Sequence, residues 1–224
     1  MLCTSREVAA VLRCSGLLEL LPTSTLHEVL KLYEEGVRHY HDFDHISETL
    51  SWLNCVLEVF PESDLAPYTA LELRLAALFH DIVYTPAGSP TNEVQSCELF
   101  REMIGDLVLA ESADRVCELV MFTAKHGKLE ASDVPLAGQL LLDADIVSLA
   151  QYRWEVFQYN NQNVIEELKL KYPVEEISAG RKAFFGSMLA KKSIFLSDWF
   201  RLRCEEQARR NLIRASAELE DAAG

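Results

Sequence analysis

Residues 71–84, LELRLAALFHDIVY, are the stretch from which the rest of the sequence is best interpreted. Apolar residues recur here at steps of four, three and four, at Leu71, Leu75, Leu78 and Ile82. This spacing places them on one face of a helix. The following TPAGSP segment cannot continue a helix, because it holds two prolines and a glycine. The stretch therefore predicts a buried helix that ends at an adjacent histidine and aspartate.

That adjacent pair is His80 and Asp81, and it needs a compensating partner. An unpaired carboxylate costs several kcal/mol to bury, so Asp81 requires a cation, a hydrogen-bond network or an open cleft beside it. Neighbouring helix residues point about 100° apart. The two side chains can therefore reach a single ion only at a helix end or a bend, which is where the sequence places them.

Two further segments carry histidine or aspartate in an apolar setting. His45 follows a polar, aromatic segment rich in histidine and is expected in the first turn of a helix, with Asp42 or Asp44 as its cap. Asp143 and Asp145 interrupt the apolar run at residues 140–149. Residues two apart on a helix project about 200° apart, so only one of these aspartates is expected to meet a metal ion.

A histidine, a His-Asp pair and a distant aspartate, all on helices, form a known pattern. In this pattern the sequence resembles the HD superfamily of metal-dependent phosphohydrolases. The resemblance assigns the metal ligands to His45, His80, Asp81 and Asp145. Further blocks resemble an uncharacterised bacterial branch of that superfamily: residues 40–46 (YHDFDHI), 79–84 (FHDIVY), 92–93 (NE), 123–126 (TAKH), 142–145 (LDAD), 180–181 (GR) and 205–212 (EEQARRNL).

The resemblance implies a hydrolytic metal centre in which Asp81 is both ligand and catalytic residue. Two imidazoles and two carboxylates suit Mn, Fe, Co, Zn or Mg and leave positions for water and substrate. His126 is a fifth candidate ligand, with helix capping as the alternative; five ligands would allow a second metal ion bridged by Asp81. Such a centre neutralises phosphate charge and supplies hydroxide near neutral pH. The implied reaction is hydrolysis of a phosphate ester.

Protonation of the leaving group requires an acid. Many HD nucleotidases and alarmone hydrolases carry a glutamate three residues after the aspartate of the pair, but this chain has Tyr84 there. Glu93, in the first turn of the next predicted helix, is the substitute candidate, with complementation of the helix dipole as the alternative. Lys125 and Arg181 are candidates for binding the substrate phosphate, and a solvated helix face is the alternative for Arg181.

Two other classes of function remain open at this point. A di-iron oxygenase of the HD type uses the same ligands extended by a further histidine, but the chain lacks a nearby histidine downstream of His126. A regulatory module could sense a nucleotide without turning it over. Within the hydrolase interpretation, the expected substrate is a nucleotide or another small phosphomonoester.

The amino-acid composition indicates which binding partners and which cellular compartment to expect. The 35 acidic and 21 basic residues give a net charge of -14, which disfavours a nucleic-acid polymer as partner. No apolar run reaches about 18 residues and no signal-peptide pattern is visible, so we expect a cytoplasmic protein without a membrane span. Six cysteines without Cys-x-x-Cys spacing predict free, buried thiols in a reducing compartment.

The pattern along the chain predicts one domain over residues 1–224. Helical periodicity recurs from end to end, without period-two alternation of strand length or internal repeats. We therefore expect an all-α, single-domain helical bundle, of the HD type if the resemblance holds. Within it, Asp143 is expected to have a structural partner such as a histidine nitrogen or an arginine. His39 and His41 are expected to be solvated or to pack within their loop.

Overall fold

The computed structural model describes the backbone of residues 5–221 and the side chains of residues 8–219. Within this range the chain forms α-helices and short 3₁₀ turns and no strands, so the prediction of an all-α, single-domain bundle is confirmed. The α-helices are α1 (Ser5–Cys14), α2 (Leu17–Leu20), α3 (Thr23–Glu34), α4 (Phe43–Leu57), α5 (Ala70–Phe79), α6 (Thr91–Ile104), α7 (Ala110–Thr123), α8 (Leu136–Asp145), α9 (Trp154–Leu168), α10 (Val174–Ala190) and α11 (Asp198–Asp221).

Helix α5 lies at the centre of the bundle. It packs against α4, α6, α7 and α8, and a continuous cluster of buried apolar side chains extends from α1 to α11 around it. Leu73, Leu75 and Leu78 are fully buried, so the helix is covered on more than one face. The helix ends at Phe79, and His80 is its C-cap residue. The histidine and aspartate of the pair therefore lie at a helix end, as predicted.

A capping box fixes the start of α5. The Thr69 hydroxyl accepts a hydrogen bond from the Glu72 backbone N–H, and the Glu72 carboxylate accepts one from the Thr69 N–H. Glu72 is buried and also accepts hydrogen bonds from the Ser112 hydroxyl and the Arg115 guanidinium on α7. These contacts join the start of α5 to the start of α7. They fix the relative position of two helices whose other ends approach the candidate site.

Asp143 connects α8 to the start of α11. Its fully buried carboxylate accepts hydrogen bonds from the backbone N–H groups of Leu196 (2.6 Å) and Ser197 (2.7 Å) and from the Ser197 hydroxyl (2.7 Å). Burial raises the pKa of Asp143 to about 6, although these hydrogen bonds lower it. The prediction of a histidine or arginine partner is wrong, because backbone amides and a hydroxyl satisfy the carboxylate instead.

The cysteines within the described residues are free, as predicted. Cys117 and Cys204 are buried, but Cys14 and Cys55 are exposed, so the prediction of buried thiols is wrong for those two. Both lie on the solvent side of helices whose other faces supply the core. Cys3 lies outside the described residues. In the described part of the chain, no helix has the length and apolar character needed to cross a bilayer.

We expect Asp143→Asn to destabilise the protein by about 2–4 kcal/mol. Both carboxylate oxygens accept hydrogen bonds, whereas an asparagine side chain has only one acceptor oxygen, and its NH₂ group would face the donors of Leu196 or Ser197. Urea unfolding at neutral pH would measure this loss. Asp106→Asn, at an exposed position, is the matched control and should change stability by less than about 0.5 kcal/mol. Equal stability of the two variants would contradict the role of Asp143.

Candidate metal centre

The ends of four neighbouring helices bring the predicted ligands together. His45 lies in the first turn of α4, and of the two predicted caps it is Asp42 whose side chain caps the helix. His80 and Asp81 directly follow the last residue of α5, and Asp145 is the last residue of α8. Helices α4, α5, α7 and α8 pack on one another, so these positions converge although they are far apart in sequence.

His45, His80, Asp81 and Asp145 form a compact cluster. One ligand atom from each lies within 4.8 Å of the others, which is an arrangement that could hold a metal ion. Nε2 of His45 is 3.0 Å from Oδ1 of Asp145, and Nε2 of His80 is 3.1 Å from Oδ2 of Asp81. The imidazoles are almost completely buried, whereas the two carboxylate side chains are 16% and 15% exposed. The carboxylates are therefore the part of the cluster that is accessible from outside.

The orientation of the imidazoles fits a shared cation better than hydrogen bonding within the cluster. Nε2 of His45 and of His80 is buried without a hydrogen-bond partner, despite the short distances to the carboxylates. Nδ1 of His80 lies 3.0 Å from the Ala77 carbonyl oxygen. This carbonyl can only accept, so Nδ1 carries the proton and Nε2 keeps its lone pair in the neutral ring. A buried lone pair without a donor is what a metal ion would satisfy.

The charges within the cluster shift the pKa values of its members. Burial alone would lower the pKa of His80, but the negative charges of Asp81 and Asp145 outweigh burial and raise it well above the usual value. Burial alone would raise the pKa of both aspartates, but the positive charge of His80 and the close contacts with the neighbouring imidazoles lower it below the usual range. Both carboxylates are therefore ionised at neutral pH.

Helix dipoles add to the negative potential of the cluster. The carbonyl end of a helix carries roughly half a negative charge, because its last carbonyl groups have no partner within the helix. Helices α5 and α8 both direct this end at the cluster, since His80 and Asp81 follow α5 and Asp145 ends α8. Two carboxylates and two helix C-termini around one point create a strong preference for a cation.

His126 lies at the edge of the cluster. Helix α7 ends at Thr123, and the chain then returns His126 so that its Nε2 is 3.0 Å from Oδ2 of Asp145. This Nε2 is also buried without a hydrogen-bond partner. Its ring makes no hydrogen bond to a helix carbonyl within the described residues, so it does not cap α7. Its position is compatible with a fifth ligand, which stays a prediction.

Two cavities meet at the cluster. The acidic cavity, about 210 Å³ in volume, is lined by His80, Asp81, Asp145, His126, Glu93 and Asn92, with further walls from the loop at residues 84–89. The amide cavity, about 190 Å³, is lined chiefly by side chains of the 3₁₀ turn Val147–Ala150, α9 and α10, including Asn160, Asn161 and Arg181. Asp145 and His41 line both cavities. A ligand bound at the cluster can therefore extend into either space.

Glu93 lies in the wall of the acidic cavity. It is in the first turn of α6, as predicted, and only 8% of the residue is exposed. Its Oε2 atom is buried without a hydrogen-bond partner. A glutamate can complement a helix dipole while it is exposed to solvent, so this interaction alone does not explain the burial of Glu93. The neighbouring Asn92 holds the loop before α6 by hydrogen bonds with Thr85, which fixes the start of the helix beside the cluster.

His41 is fixed at the junction of the two cavities by a buried glutamate. Its Nδ1 lies 2.6 Å from Oε2 of Glu167, and its ring stacks on Tyr84 with centroids 3.9 Å apart. Oε1 of Glu167 accepts hydrogen bonds from the backbone N–H groups of His39, Tyr40 and His41. His39 is exposed, as expected, but the position of His41 in the site was not predicted. Tyr84, at the position of the absent glutamate, supports this ring.

Arg38 connects the loop before α4 to the segment that follows α5. Its guanidinium donates hydrogen bonds to the carbonyl oxygens of His41 (2.8 Å), Asp81 (2.7 Å) and Ile82 (2.8 Å). The loop before α4 and the segment after α5 are thereby held at a fixed distance. Sequence patterns gave no sign of this contact, because an arginine in a polar loop is usually a solvated residue.

The two predicted phosphate-binding residues have different surroundings. Arg181 lies on α10 and lines the amide cavity, where it donates two hydrogen bonds to Oδ1 of Asn161. Lys125 is exposed and does not line either of the two cavities. The roles of both in phosphate binding stay predictions, and the position of Arg181 gives it the more direct access to a ligand.

Comparison with protein-family models, curated proteins and solved structures finds no match for this chain. The resemblance to the HD superfamily is accordingly a hypothesis about short motifs. The site itself is defined by the geometry of its residues.

The Glu167 carboxylate should make stability depend on acid pH. Burial would raise its pKa, but the hydrogen bond and charge of His41 and the backbone donors lower it to about 2, from 4.5 in the unfolded chain. Because the folded pKa is the lower one, the stabilisation is complete above the unfolded value and is lost as pH falls towards the folded value. At neutral pH it amounts to about 3 kcal/mol.

Glu167→Gln should therefore be less stable than wild type near neutral pH, and this difference should shrink by about 2 kcal/mol between roughly pH 5 and pH 3. Urea unfolding at each pH would measure it. Glu166→Gln, at the neighbouring position, should follow the wild-type pH profile. A constant difference between wild type and Glu167→Gln across this range would show that the carboxylate charge does not matter.

Proposed function

We propose that this protein is a metal-dependent phosphohydrolase that cleaves a small phosphomonoester. The observation that supports this most is the cluster of His45, His80, Asp81 and Asp145, whose imidazole Nε2 atoms are buried without hydrogen-bond partners beside two ionised carboxylates. Two nitrogen and two oxygen donors suit a hydrolytic metal ion such as Mn, Fe, Co, Zn or Mg. The cavities beside the cluster offer room for a small substrate.

The four residues would hold the metal ion, and His126 would add a fifth donor to it or to a second ion. A divalent cation bound here would neutralise charge on a phosphoryl group and acidify a water molecule at neutral pH. The chain supplies the remaining functions. Nδ1 of His80 is hydrogen-bonded to a backbone carbonyl, so Nε2 is the atom that the neutral ring would offer to a metal ion.

Glu93 is the candidate for the proton donor to the leaving group. Its carboxyl group is buried, lines the same cavity as Asp81 and His126, and has an oxygen without a partner. A carboxyl group within hydrogen-bond reach of an ester oxygen can transfer a proton to it as the bond breaks. His41, fixed by Glu167, borders the same space and would orient the substrate.

A screen for turnover tests this proposal. Metal-stripped protein would be combined with Mn, Co, Mg, Zn or Fe and with a panel of nucleotides and phosphomonoesters, and released phosphate would be measured. Phosphate release that depends on added metal supports the proposal. Iron-dependent consumption of dioxygen would instead indicate an oxygenase, and nucleotide binding without release would indicate a sensing module.

Asp81→Asn should lower metal affinity by more than about 100-fold, the upper range for residues that only support a ligand. The amide keeps the shape of the side chain but removes the charge. Metal content after dialysis and titration calorimetry would measure the loss, and circular dichroism should show unchanged helix content. Asp64→Asn, exposed and remote from the site, should keep wild-type affinity. Loss of folding in Asp81→Asn would instead indicate a role in the core.

Glu93→Gln should lower turnover by about 10² to 10⁴ without changing metal affinity, because a general acid contributes about this much. Substrates with good leaving groups, such as 4-nitrophenyl phosphate, should be much less affected, since they need little protonation. Glu98→Gln, on the exposed side of the same helix, is the control. An equal loss on alkyl and nitrophenyl phosphates, or no loss on either, would leave Glu93 without a role as acid.

A further inference from the structure

Among the residues whose side chains the structure describes, Arg181 has no carboxylate partner, although the protein has a net charge of -14. Its guanidinium lies over the rings of Phe184 and Phe185, with its central carbon 5.0 and 4.7 Å from the ring centroids. Its Nε and Nη2 atoms donate to the Asn161 amide oxygen, and Nη1 has no hydrogen-bond acceptor among the described residues. Burial lowers the pKa of Arg181 to about 10, so it is still charged at neutral pH.

Many other arginines of the described chain are paired with carboxylates. Arg115, Arg101 and Arg209, for example, contact Glu72, Asp114 and Glu205. Removing a guanidinium from water without an anion is unfavourable. Aromatic rings and one amide offset only part of this cost. A bound anion would complete the environment of Arg181.

The amide cavity provides a place for that anion. Arg181 lines it together with Asn160, Asn161 and apolar side chains such as Phe157 and Val164. Its volume of about 190 Å³ exceeds the roughly 150 Å³ of a cavity that binds benzene, so a ring-sized group fits. The same cavity is open to the cluster, because Asp145 lines it.

We propose that the substrate carries a second anionic group, apart from the phosphate that is cleaved, and that this group binds Arg181. This inference rests on the proposed function of the metal centre. The substrate is then a phosphomonoester of a small acid, with a ring-sized or sugar-sized spacer between its two anionic ends. The spacer lies in the amide cavity against Phe157 and Val164, and Asn160 and Asn161 offer hydrogen bonds to it.

The residues that line the two cavities indicate that Arg181 does not bind the phosphate that is cleaved. Of the four clustered residues, only Asp145 lines the amide cavity, whereas His80, Asp81 and Asp145 line the acidic cavity. Arg181 does not line the acidic cavity, and its hydrogen bonds go to Asn161 and not to the cluster. A phosphate held by the cluster is therefore next to Glu93 and His126, and Arg181 is left to bind another part of the molecule.

Two phosphonates that cannot be hydrolysed test the inference by binding alone. Phenylphosphonate has one anionic group, and 4-phosphonobenzoate adds a carboxylate across the ring. Titration calorimetry would measure both on Mn-loaded protein and on metal-stripped protein. We expect wild type to bind 4-phosphonobenzoate about 10- to 100-fold more tightly than phenylphosphonate, the range for hydrogen bonds to charged groups. 1,4-Phenylenebisphosphonate would show whether a second phosphonate replaces the carboxylate.

Arg181→Met should abolish this preference and leave the affinity for phenylphosphonate within about threefold. Arg181→Lys, which keeps the charge but not the bidentate geometry, should retain part of it. Arg203→Met is the matched control, because Arg203 also lies over an aromatic ring, that of Trp199, but is exposed. It should keep the full preference. Thermal unfolding would confirm that each variant is folded.

Equal binding of the two phosphonates by wild type would overturn the inference. An equal loss on both compounds in Arg181→Met would also overturn it, because Arg181 would then bind the phosphoryl group itself. A preference for 4-phosphonobenzoate that depends on Arg181 supports the inference even if no phosphomonoester is hydrolysed. In that case the proposed hydrolysis fails while the anion site stands, so the two failures can be distinguished.

Discussion

The structure depends on the need to compensate two carboxylates, Asp81 and Asp145, at the negative ends of buried helices. A carboxylate at a helix C-terminus is unfavourable, and two within the same cluster are more so. Imidazole nitrogens of His45, His80 and His126 lie 3.0–3.6 Å from these carboxylates. The bundle places one histidine from the start of α4 and others after the ends of α5 and α7 around the same point. This arrangement is unfavourable for the helix dipoles, and a bound cation would offset its cost.

Much of this architecture could be predicted from the sequence, because it depends on local patterns. Helical periodicity gave the all-α class, the proline and glycine segment gave the end of α5, and an acidic pair inside an apolar run identified residues 143–145 as functional or structural. The convergence of His45, His80, Asp81 and Asp145 was expected from the resemblance and is found in the cluster. These residues could be identified in the sequence because each is a polar residue in a segment that otherwise belongs to the core.

The parts that could not be predicted depend on partners distant in the sequence. Glu167 binds a loop 126 to 128 positions earlier, and nothing distinguishes it from the neighbouring, exposed Glu166 before the chain is folded. Arg38 binds backbone carbonyls, which every residue has, so no sequence pattern indicates the contact. The expected partner of Asp143 was wrong for the same reason, because its donors are two backbone amides and a hydroxyl. Burial and polarity suggest that a partner exists, but they do not identify it.

The contacts of Glu167 and Asp143 also determine at which stage of synthesis and folding the site can form. The loop that carries His41 needs a glutamate from α9, and α8 is joined to the start of α11 through Asp143. During synthesis the chain emerges from its N-terminus, so all the clustered residues are made well before the segments that fix them in place. The ligand set therefore reaches its final geometry only after α11 has begun to form. An ion that binds this geometry would stabilise the whole domain at once, because a chain without α9 and the start of α11 lacks the contacts that fix the site.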